Sequence, residues 1–436
     1  MARISLLKFP YPFQACATVC SDIDGTSFNN FLLIHEFLNS SKNTKLGKGL
    51  SLPIGDSFWM FDETGNPNNA FSYFEGCSTK QSKHAPIIRE FIKAGIIDVM
   101  HSYGNFSQRE TFSRKLAIQA LEELDKLGLK LQVWTNHGGL ESVQNLGINS
   151  AGYGDVVDSP YYHADLLMDY GIKYYWDSEL SLHTNAGQDA ICQYGDAYWN
   201  SPLYRSSAEF LKYSAKGIIK YFDGLQNKFS GRRIMPRGTF DPSDNNLISE
   251  DKLRDGAHIN RFRRFGHGKH DWSDDLPRLI NSDFLEQLIS KQGYAILYTH
   301  LGDRKQKSTE SPLSVKTIDA FNLLAQYYRI GKIWVANTST ILRYNFIYKY
   351  LDWSTQALDQ KLIININGLI EPYQEYHLTL NDIQGLSFRC QDELTDITID
   401  LGGKIQKDVI EYSDNTGKRV VTVPVNEIDW PLTSVS

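Results

Sequence analysis

The feature that most constrains the fold of this 436-residue chain is a repeated alternation of short apolar runs and longer amphipathic segments. Apolar runs of strand length occur at residues 15–19, 50–60, 96–100, 129–134, 172–176, 294–298 and 333–336. Segments with helical apolar spacing occur at 108–127, 207–225, 283–291, 315–328 and 340–350. About seven strand-then-helix units predict an α/β domain whose parallel sheet is either open or closed into a barrel.

From about residue 358 the pattern changes to short β-rich runs, with a turn signal at Asp414-Asn415-Thr416-Gly417. We therefore expect two domains, an α/β domain at 1–357 and a small antiparallel β domain at 358–436. Residues 231–275 are rich in Arg, Gly, Asp and His and have little apolar periodicity. They are predicted to form a long loop over the α/β domain.

Composition excludes several classes of protein. The formal net charge of -6 provides no basic field for nucleic acid. The five cysteines are sparsely spaced, which favours free thiols in a reducing compartment. We find neither the pattern of a signal peptide nor an apolar run long enough for a membrane span. A cytoplasmic location is the resulting expectation, and the formation of a homo-oligomer is left open.

Two carboxylates follow the first apolar run directly. Asp22 and Asp24 are two residues apart at the predicted strand end, so their side chains point to the same side. Neighbouring carboxylates repel each other unless a metal ion or another cation neutralises them. Gly25 allows the backbone to turn sharply after them. The segment is expected to form the acidic corner of an active site at the carboxyl end of the strand.

Histidines follow three other predicted strands. His101 ends one strand and has Asn105 four residues later, where both could face one metal ion. His137 and His300 follow two further strands. We expect these residues and the acidic corner to form one site. The remaining histidines are interpreted as structural or solvated, and His163 is expected to begin a helix. An alternative interpretation is that residues of the 231–275 loop contact an anionic substrate, namely His258, His267, His270, Arg261, Arg263 and Arg264.

Over roughly residues 10–350 the chain resembles the polysaccharide deacetylase (NodB-homology) superfamily. The resemblance is carried by Ser21-Asp22-Ile23-Asp24-Gly25, by the segment 101–105, by 297–300 and by the closing segments 333–336 and 341–344. It implies a distorted (β/α)7 barrel, here followed by the C-terminal β domain. It also implies an enzyme that removes an N-acetyl group from a sugar or from a sugar-containing intermediate of surface-polysaccharide or O-antigen synthesis.

The resemblance further implies a role for each residue. Asp22 is the general base and His300 the general acid. The metal ligands are Asp24 and His101, completed by Asn105 or His137, and the cofactor is a divalent metal, zinc in many members. The sequence departs from the family pattern because Ile23 separates the two aspartates and Asn105 replaces a histidine. The expected partner is a carbohydrate substrate.

Two other functions remain open from the sequence. Residues 22–26 also resemble the first motif of the haloacid dehalogenase superfamily, and residues 133–136 resemble its second motif. That resemblance implies a Mg²⁺-dependent phosphatase in which Asp22 is the nucleophile, but it gives no role to His101 or His300. A non-catalytic carbohydrate-binding relative that has lost its metal is the third hypothesis.

Overall fold

A computed structural model describes residues 4–65, 70–138, 142–148, 150, 152–178, 180–181, 247–266, 271–305, 311–358, 361–370, 376–390, 396–406 and 409–431. The predicted helix at 207–225 and the histidines His267 and His270 lie outside these residues. None of the described helices combines the length and the apolar character needed to cross a bilayer.

Two sheets with mainly parallel strands form the centre of the molecule. The first sheet has the order β12 (Ile248–Lys252), β13 (His258–Phe262), β10 (Tyr174–Trp176), β9 (Val133–Thr135), β7 (Ile97–His101) and β5 (Asp56–Phe58), and only β12 is antiparallel. The second has the order β11 (Leu180–Ser181), β14 (Arg264–Phe265), β15 (Tyr294–Thr299), β2 (Ala15–Ser21) and β16 (Ile333–Trp334).

Helices connect these strands. Apolar spacing predicted those at or near 108–127, 283–291, 315–328 and 340–350, but not those at 28–39 and 85–93. Their bounds are α1 (Phe28–Asn39), α2 (Ala85–Lys93), α3 (Arg114–Lys126), α4 (Ala164–Tyr170), α5 (Leu276–Leu279), α6 (Ser282–Ser290), α7 (Val315–Arg329) and α8 (Thr338–Tyr350), with 3₁₀ turns at Arg109–Thr111 and Ser273–Asp275. Side-chain caps fix several helix starts: Ser27, Asn281, Ser314 and Asn337 each accept a hydrogen bond from the backbone N–H three residues later.

The two sheets are joined where β13 continues into β14, since only Arg263 separates them. β5 at the end of one sheet lies beside β2 of the other, although no hydrogen-bonded ladder joins them among the described strands. The mixed α/β class is therefore confirmed, whereas closure into a distorted (β/α)7 barrel stays a prediction. Because the connected strands run parallel, their carboxyl ends meet at one rim.

The prediction of a long loop at 231–275 is wrong for its described part. Residues 247–266 contain β12, β13 and β14, and Ile259, Phe262 and Phe265 are buried. The arginines made these strands look polar in the sequence. In the structure the arginines are buried, because their charges are neutralised inside the molecule. Arg261 is 3% exposed and pairs with Asp177, and Arg264 is 0% exposed.

The C-terminal region forms two further sheets. One has the order β17 (Leu351–Leu358), β18 (Lys361–Leu369), β20 (Asp396–Leu401) and β21 (Lys404–Gln406). The other has the order β1 (Ile4–Leu6), β19 (Ser387–Cys390), β23 (Arg419–Thr422) and β22 (Ile410–Ser413). The β structure thus begins directly after α8, and the first strand of the chain belongs to it. The remaining short strands are β3 (Asn43–Thr44), β4 (Gly47–Lys48), β6 (Phe61–Asp62) and β8 (Gly104–Asn105).

The expectation of purely antiparallel pairing in this region needs one correction. β18 and β20 pair in parallel, while the other neighbours in these two sheets are antiparallel. A parallel pair requires a crossover connection of about a dozen residues or more. The connection exists because the chain leaves β18, passes through β19 in the neighbouring sheet and then returns to form β20.

His163 begins α4, as predicted, and its burial implies that the folding free energy depends on pH. Its Nε2 lies 2.9 Å from the carbonyl oxygen of Gln144, and its ring packs against Tyr103 and Trp134. Burial lowers the pKa of His163 from 6.5 to about 4. The unfolded chain therefore takes up this proton at a higher pH than the folded chain. The stability contributed by neutral His163 is present above pH 6.5 and is lost as the pH falls towards 4.

We expect acidification across this window to cost about 3 kcal/mol of folding free energy through His163 alone. Urea unfolding of the wild type and of His163→Gln between pH 7 and pH 4.5 measures this contribution. The variant should start less stable, because glutamine packs less well here, but its stability should fall less steeply with pH. Equal slopes in the two proteins would contradict the assignment.

Candidate active site

The acidic corner lies where the sequence placed it, immediately after β2. This strand is fully buried, and the backbone N–H of Asp22 still donates to the carbonyl oxygen of Thr299 on β15 at 2.9 Å. The chain then turns at Gly25, which has a φ of 71°. A Cβ at this glycine would lie 2.7 Å from the Cβ of Asp303, so both the backbone conformation and the space require glycine. The turn directs Asp22 inward, with 3% of the residue exposed, whereas Asp24 stays partly exposed.

The histidines at the carboxyl ends of β7 and β9 meet the carboxylate of Asp24. Nε2 of His101 lies 2.9 Å from Oδ2 of Asp24, and Nδ1 of His137 lies 3.5 Å from Oδ1 of the same carboxylate. The two imidazole nitrogens are 3.0 Å apart. Asp24, His101 and His137 thus direct three metal-ligand atoms to one point, all within 4.8 Å of one another. The parallel pairing of β7 with β9 produces this meeting, because it aligns the two strand ends.

This donor set fits a small divalent cation. Tetrahedral ligands about 2.1 Å from zinc lie roughly 3.4 Å apart, close to the three separations between these atoms. Nδ1 of His101 lies 2.8 Å from Oγ1 of Thr135 and 3.5 Å from Oδ1 of Asp22. An N–H at Nδ1 satisfies these acceptors and leaves the lone pair on Nε2 directed at the shared point. A second hydrogen bond of this kind is the usual companion of a metal-ligating histidine.

Mutual electrostatics among these groups favour a cation. Burial raises the pKa of Asp24, but the neighbouring imidazoles of His137 and His101 outweigh this effect and hold the pKa far below its usual range. Burial lowers the pKa of His101, but the carboxylates of Asp22 and Asp24 outweigh it and raise the pKa. Burial dominates at His137 and lowers its pKa to about 4, so its imidazole is neutral near pH 7 and can act as a ligand.

Asp22 is held by a residue that the sequence interpretation missed. Nη2 of Arg264, on β14, donates to Oδ1 of Asp22 at 2.7 Å and to the carbonyl oxygen of Cys20 at 2.8 Å. The guanidinium is wholly buried between the rings of Trp176 and Tyr298, 4.3 and 4.5 Å from their centroids. The prediction that Arg264 lies in a solvated loop or binds an anionic substrate group is therefore wrong, because its charge is matched inside the protein.

His300 completes the cluster from β15. It is 4% exposed, and its Nδ1 lies 3.1 Å from the backbone carbonyl oxygen of Asp271. His300 can also place a nitrogen within 4.8 Å of carboxylate oxygens of both Asp22 and Asp24. The structure thus brings together the predicted base, the predicted acid and three of the predicted metal ligands, Asp24, His101 and His137.

Asn105 is the candidate ligand that has another partner. It lies on β8, which pairs with β6 so that Asn105 is opposite Asp62, and its side chain hydrogen-bonds the carboxylate of Asp62. Its role as a metal ligand stays a prediction, while His137 occupies the place beside His101.

Trp59, which the sequence did not single out, packs its ring against both His101 and His137 and so fixes their orientation.

Thr135 offers a direct test of the histidine geometry. In Thr135→Val the Oγ1 partner of His101 is lost while the side-chain shape is retained, so the imidazole is less well oriented. We expect zinc affinity to fall about 10- to 100-fold, the usual effect of removing such a hydrogen bond. Competition with a chromogenic chelator measures the affinity, and Thr135→Ser, which keeps the hydroxyl, is the matched control. Equal affinities for the valine and serine variants would contradict the assignment.

We compared the chain with protein-family models, with curated protein sequences and with solved structures, and found no match.

Proposed function

We propose that this protein is a metal-dependent hydrolase that removes an N-acetyl group from a sugar or a sugar-containing intermediate of surface-polysaccharide synthesis. The observation that carries the proposal is the position of the Asp24, His101 and His137 donor atoms directly beside Asp22 and His300. A ligand triad next to a carboxylate base and an imidazole acid is the set of groups that metal-assisted amide hydrolysis needs.

The side chains divide the reaction between them. A divalent cation held by Asp24, His101 and His137 would supply Lewis acidity, which polarises the amide carbonyl and acidifies a water molecule. Asp22 accepts the proton from the attacking water. Its hydrogen bond from Arg264 holds the carboxylate in a fixed orientation towards the site. His300 donates a proton to the nitrogen of the leaving amine, since amines leave poorly as anions.

The sugar part of the proposal rests on the resemblance to the polysaccharide deacetylase superfamily. The structure adds a chemical reason to prefer hydrolysis of an amide to transfer of a phosphoryl group. In the phosphatase hypothesis Asp22 attacks phosphorus, yet here its carboxylate accepts a hydrogen bond from Arg264 and faces His101. That hypothesis also leaves the two histidines at Asp24 without a task.

Assays of acetate and phosphate release test the proposal. The purified protein, loaded with Zn²⁺ or Co²⁺, should release acetate from N-acetylated amino sugars and oligosaccharides, and the Asp24→Asn variant should not. Phosphate release from p-nitrophenyl phosphate with Mg²⁺ is the parallel assay. Mg²⁺-dependent phosphate release that is abolished in Asp22→Asn but survives in His101→Ala would contradict the proposal. Glycan binding by a protein that takes up no metal would favour the non-catalytic relative.

A further inference from the structure

A cavity of about 460 Å³ adjoins the acidic corner. Its lining includes Ser27, Phe28, Asp62, Phe71, Ser82 and His84. Ser27 and Phe28 begin α1, directly after the turn that carries Asp24, and Asp62 is close enough to Asp24 for their charges to interact. The cavity volume is within the range of about 300–1,000 Å³ that is usual for small-molecule sites.

One wall of the cavity is aromatic. The ring of Phe28 lies 3.9 Å from the imidazole of His84, measured between centroids, at an interplanar angle of 31°. Phe71 supports Phe28 from behind in an edge-on contact at 5.2 Å. Phe71 is buried, whereas Phe28 and His84 are partly exposed. The wall therefore offers a rigid apolar surface of the kind on which the C–H face of a sugar ring packs.

One buried polar group of the cavity is a carboxylate. Asp62 is 4% exposed, and its Oδ1 accepts hydrogen bonds from the backbone N–H and the hydroxyl of Thr64 at 3.1 and 2.7 Å. An ionised carboxylate accepts several hydrogen bonds and donates none, so it suits a ligand with hydroxyl groups. Lys83 also lines the cavity, but it is exposed to solvent. Phosphate groups are usually bound by bidentate arginine or buried lysine, and the described lining contains neither.

We propose that this cavity binds a second sugar unit of the glycan whose N-acetyl group is hydrolysed. The unit packs on Phe28 and His84 and donates a hydroxyl hydrogen to Asp62. This inference rests on the proposed function and narrows its substrate class. The substrate is an oligosaccharide or a polysaccharide, rather than a monosaccharide linked to a nucleotide.

Chain-length dependence of acetate release tests the inference. The probes are N-acetylglucosamine and its tetrasaccharide, and the readout is the ratio of kcat/KM for the tetrasaccharide to kcat/KM for the monosaccharide. The ratio should exceed about 10 in the wild type and fall about tenfold in Phe28→Ala and in His84→Ala, as is usual when a well-packed aromatic contact is lost. Phe28→Leu, which keeps an apolar side chain, checks that a loss does not come from misfolding.

Tyr412→Ala is the matched control. Tyr412 lines a larger cavity of about 600 Å³, which also contains Pro10 to Phe13 at the opposite, amino-terminal end of β2. This control should keep the wild-type ratio. A ratio near 1 in the wild type, or a high ratio that survives both alanine substitutions, would overturn the inference and leave the proposed deacetylase standing.

The remaining outcome is that neither probe releases acetate, which contradicts the proposed activity on this sugar. Calorimetric titration of the metal-loaded protein with the tetrasaccharide then decides the role of the cavity. Binding that is lost in Phe28→Ala and kept in Tyr412→Ala supports the cavity as a sugar site. No binding by the wild type, or equal binding by both variants, overturns it.

Discussion

His101→Ala should lose its bound zinc and reduce acetate release by about 10³-fold or more. A reduction of this size is expected because the substitution removes a metal ligand, and the metal is then lost together with its Lewis acidity. Nε2 of His101 lies 2.9 Å from Asp24 and 3.0 Å from His137, so its removal takes one donor from the centre of the triad. The substitution also removes the imidazole N–H that faces Asp22 at 3.5 Å. Two carboxylates then face each other with less positive charge between them.

Zinc content by mass spectrometry and acetate release by an enzymatic assay measure these two losses on the same preparation. His258→Ala is the matched control, since His258 lies at the surface on β13 and contacts Glu250. The control should keep one zinc per chain and wild-type activity. An H101A protein that keeps both its zinc and its activity would show that the donor triad is not the metal site.

Arg264→Met should destabilise the fold by about 3–5 kcal/mol, the usual cost of leaving a buried charge without its partner. The guanidinium is completely buried, and Asp22, its partner, is 3% exposed. Methionine fills similar space between Trp176 and Tyr298 but donates no hydrogen bond to Asp22 or to the carbonyl oxygen of Cys20. The Asp22 carboxylate then lies beside Asp24 with the histidines as its remaining neutralising groups. Activity should fall as well, because Asp22 loses the contact that orients it.

Urea unfolding of the metal-free protein measures the loss, and two comparisons interpret it. Arg389→Met is the matched control, since Arg389 is partly exposed and pairs with Asp414; it should cost at most about 1 kcal/mol. The double variant Asp22→Asn with Arg264→Met should recover part of the stability, since no buried carboxylate is left unpaired. Equal losses for the two single arginine variants, with no recovery in the double variant, would contradict this account of the pair.

The site residues that the sequence predicted share one property. His101 ends an apolar strand, and Asp22, His137 and His300 each follow one within two residues, so their position at the carboxyl rim follows from the parallel sheet alone. Their convergence required only that the strands be neighbours, which the pairing of β7 with β9 and of β15 with β2 provides.

The residues that were missed lack this signature. Arg264 lies within a strand rather than after it, and four of the six residues from 259 to 264 are polar or charged. Its burial depends on Asp22, which is 242 positions away in the chain. The sequence does contain one indication of its role. Two neighbouring carboxylates need a compensating cation, and three of the four residues at 261–264 are arginine. Trp59 was missed for another reason, since an isolated tryptophan in an apolar run is indistinguishable from ordinary core.

The limits of the fold prediction have a similar origin. Local periodicity located α6, α7 and α8 and most of the core strands to within a few residues, whereas α3 begins six residues later than predicted. It could not show that β1 pairs with β19, or that β18 pairs in parallel with β20. Such pairings depend on contacts between residues distant in sequence, which short-range patterns do not encode.

The central claim is that Asp24, His101 and His137 together hold a divalent cation beside Asp22 and His300. A crystal of the zinc-loaded protein, with diffraction data collected at the zinc absorption edge, tests this claim most directly. We predict one strong anomalous peak about 2.1 Å from Nε2 of His101 and Nδ1 of His137, and bound to the Asp24 carboxylate. A peak at other residues, with these three side chains still hydrogen-bonded to one another, would contradict the claim.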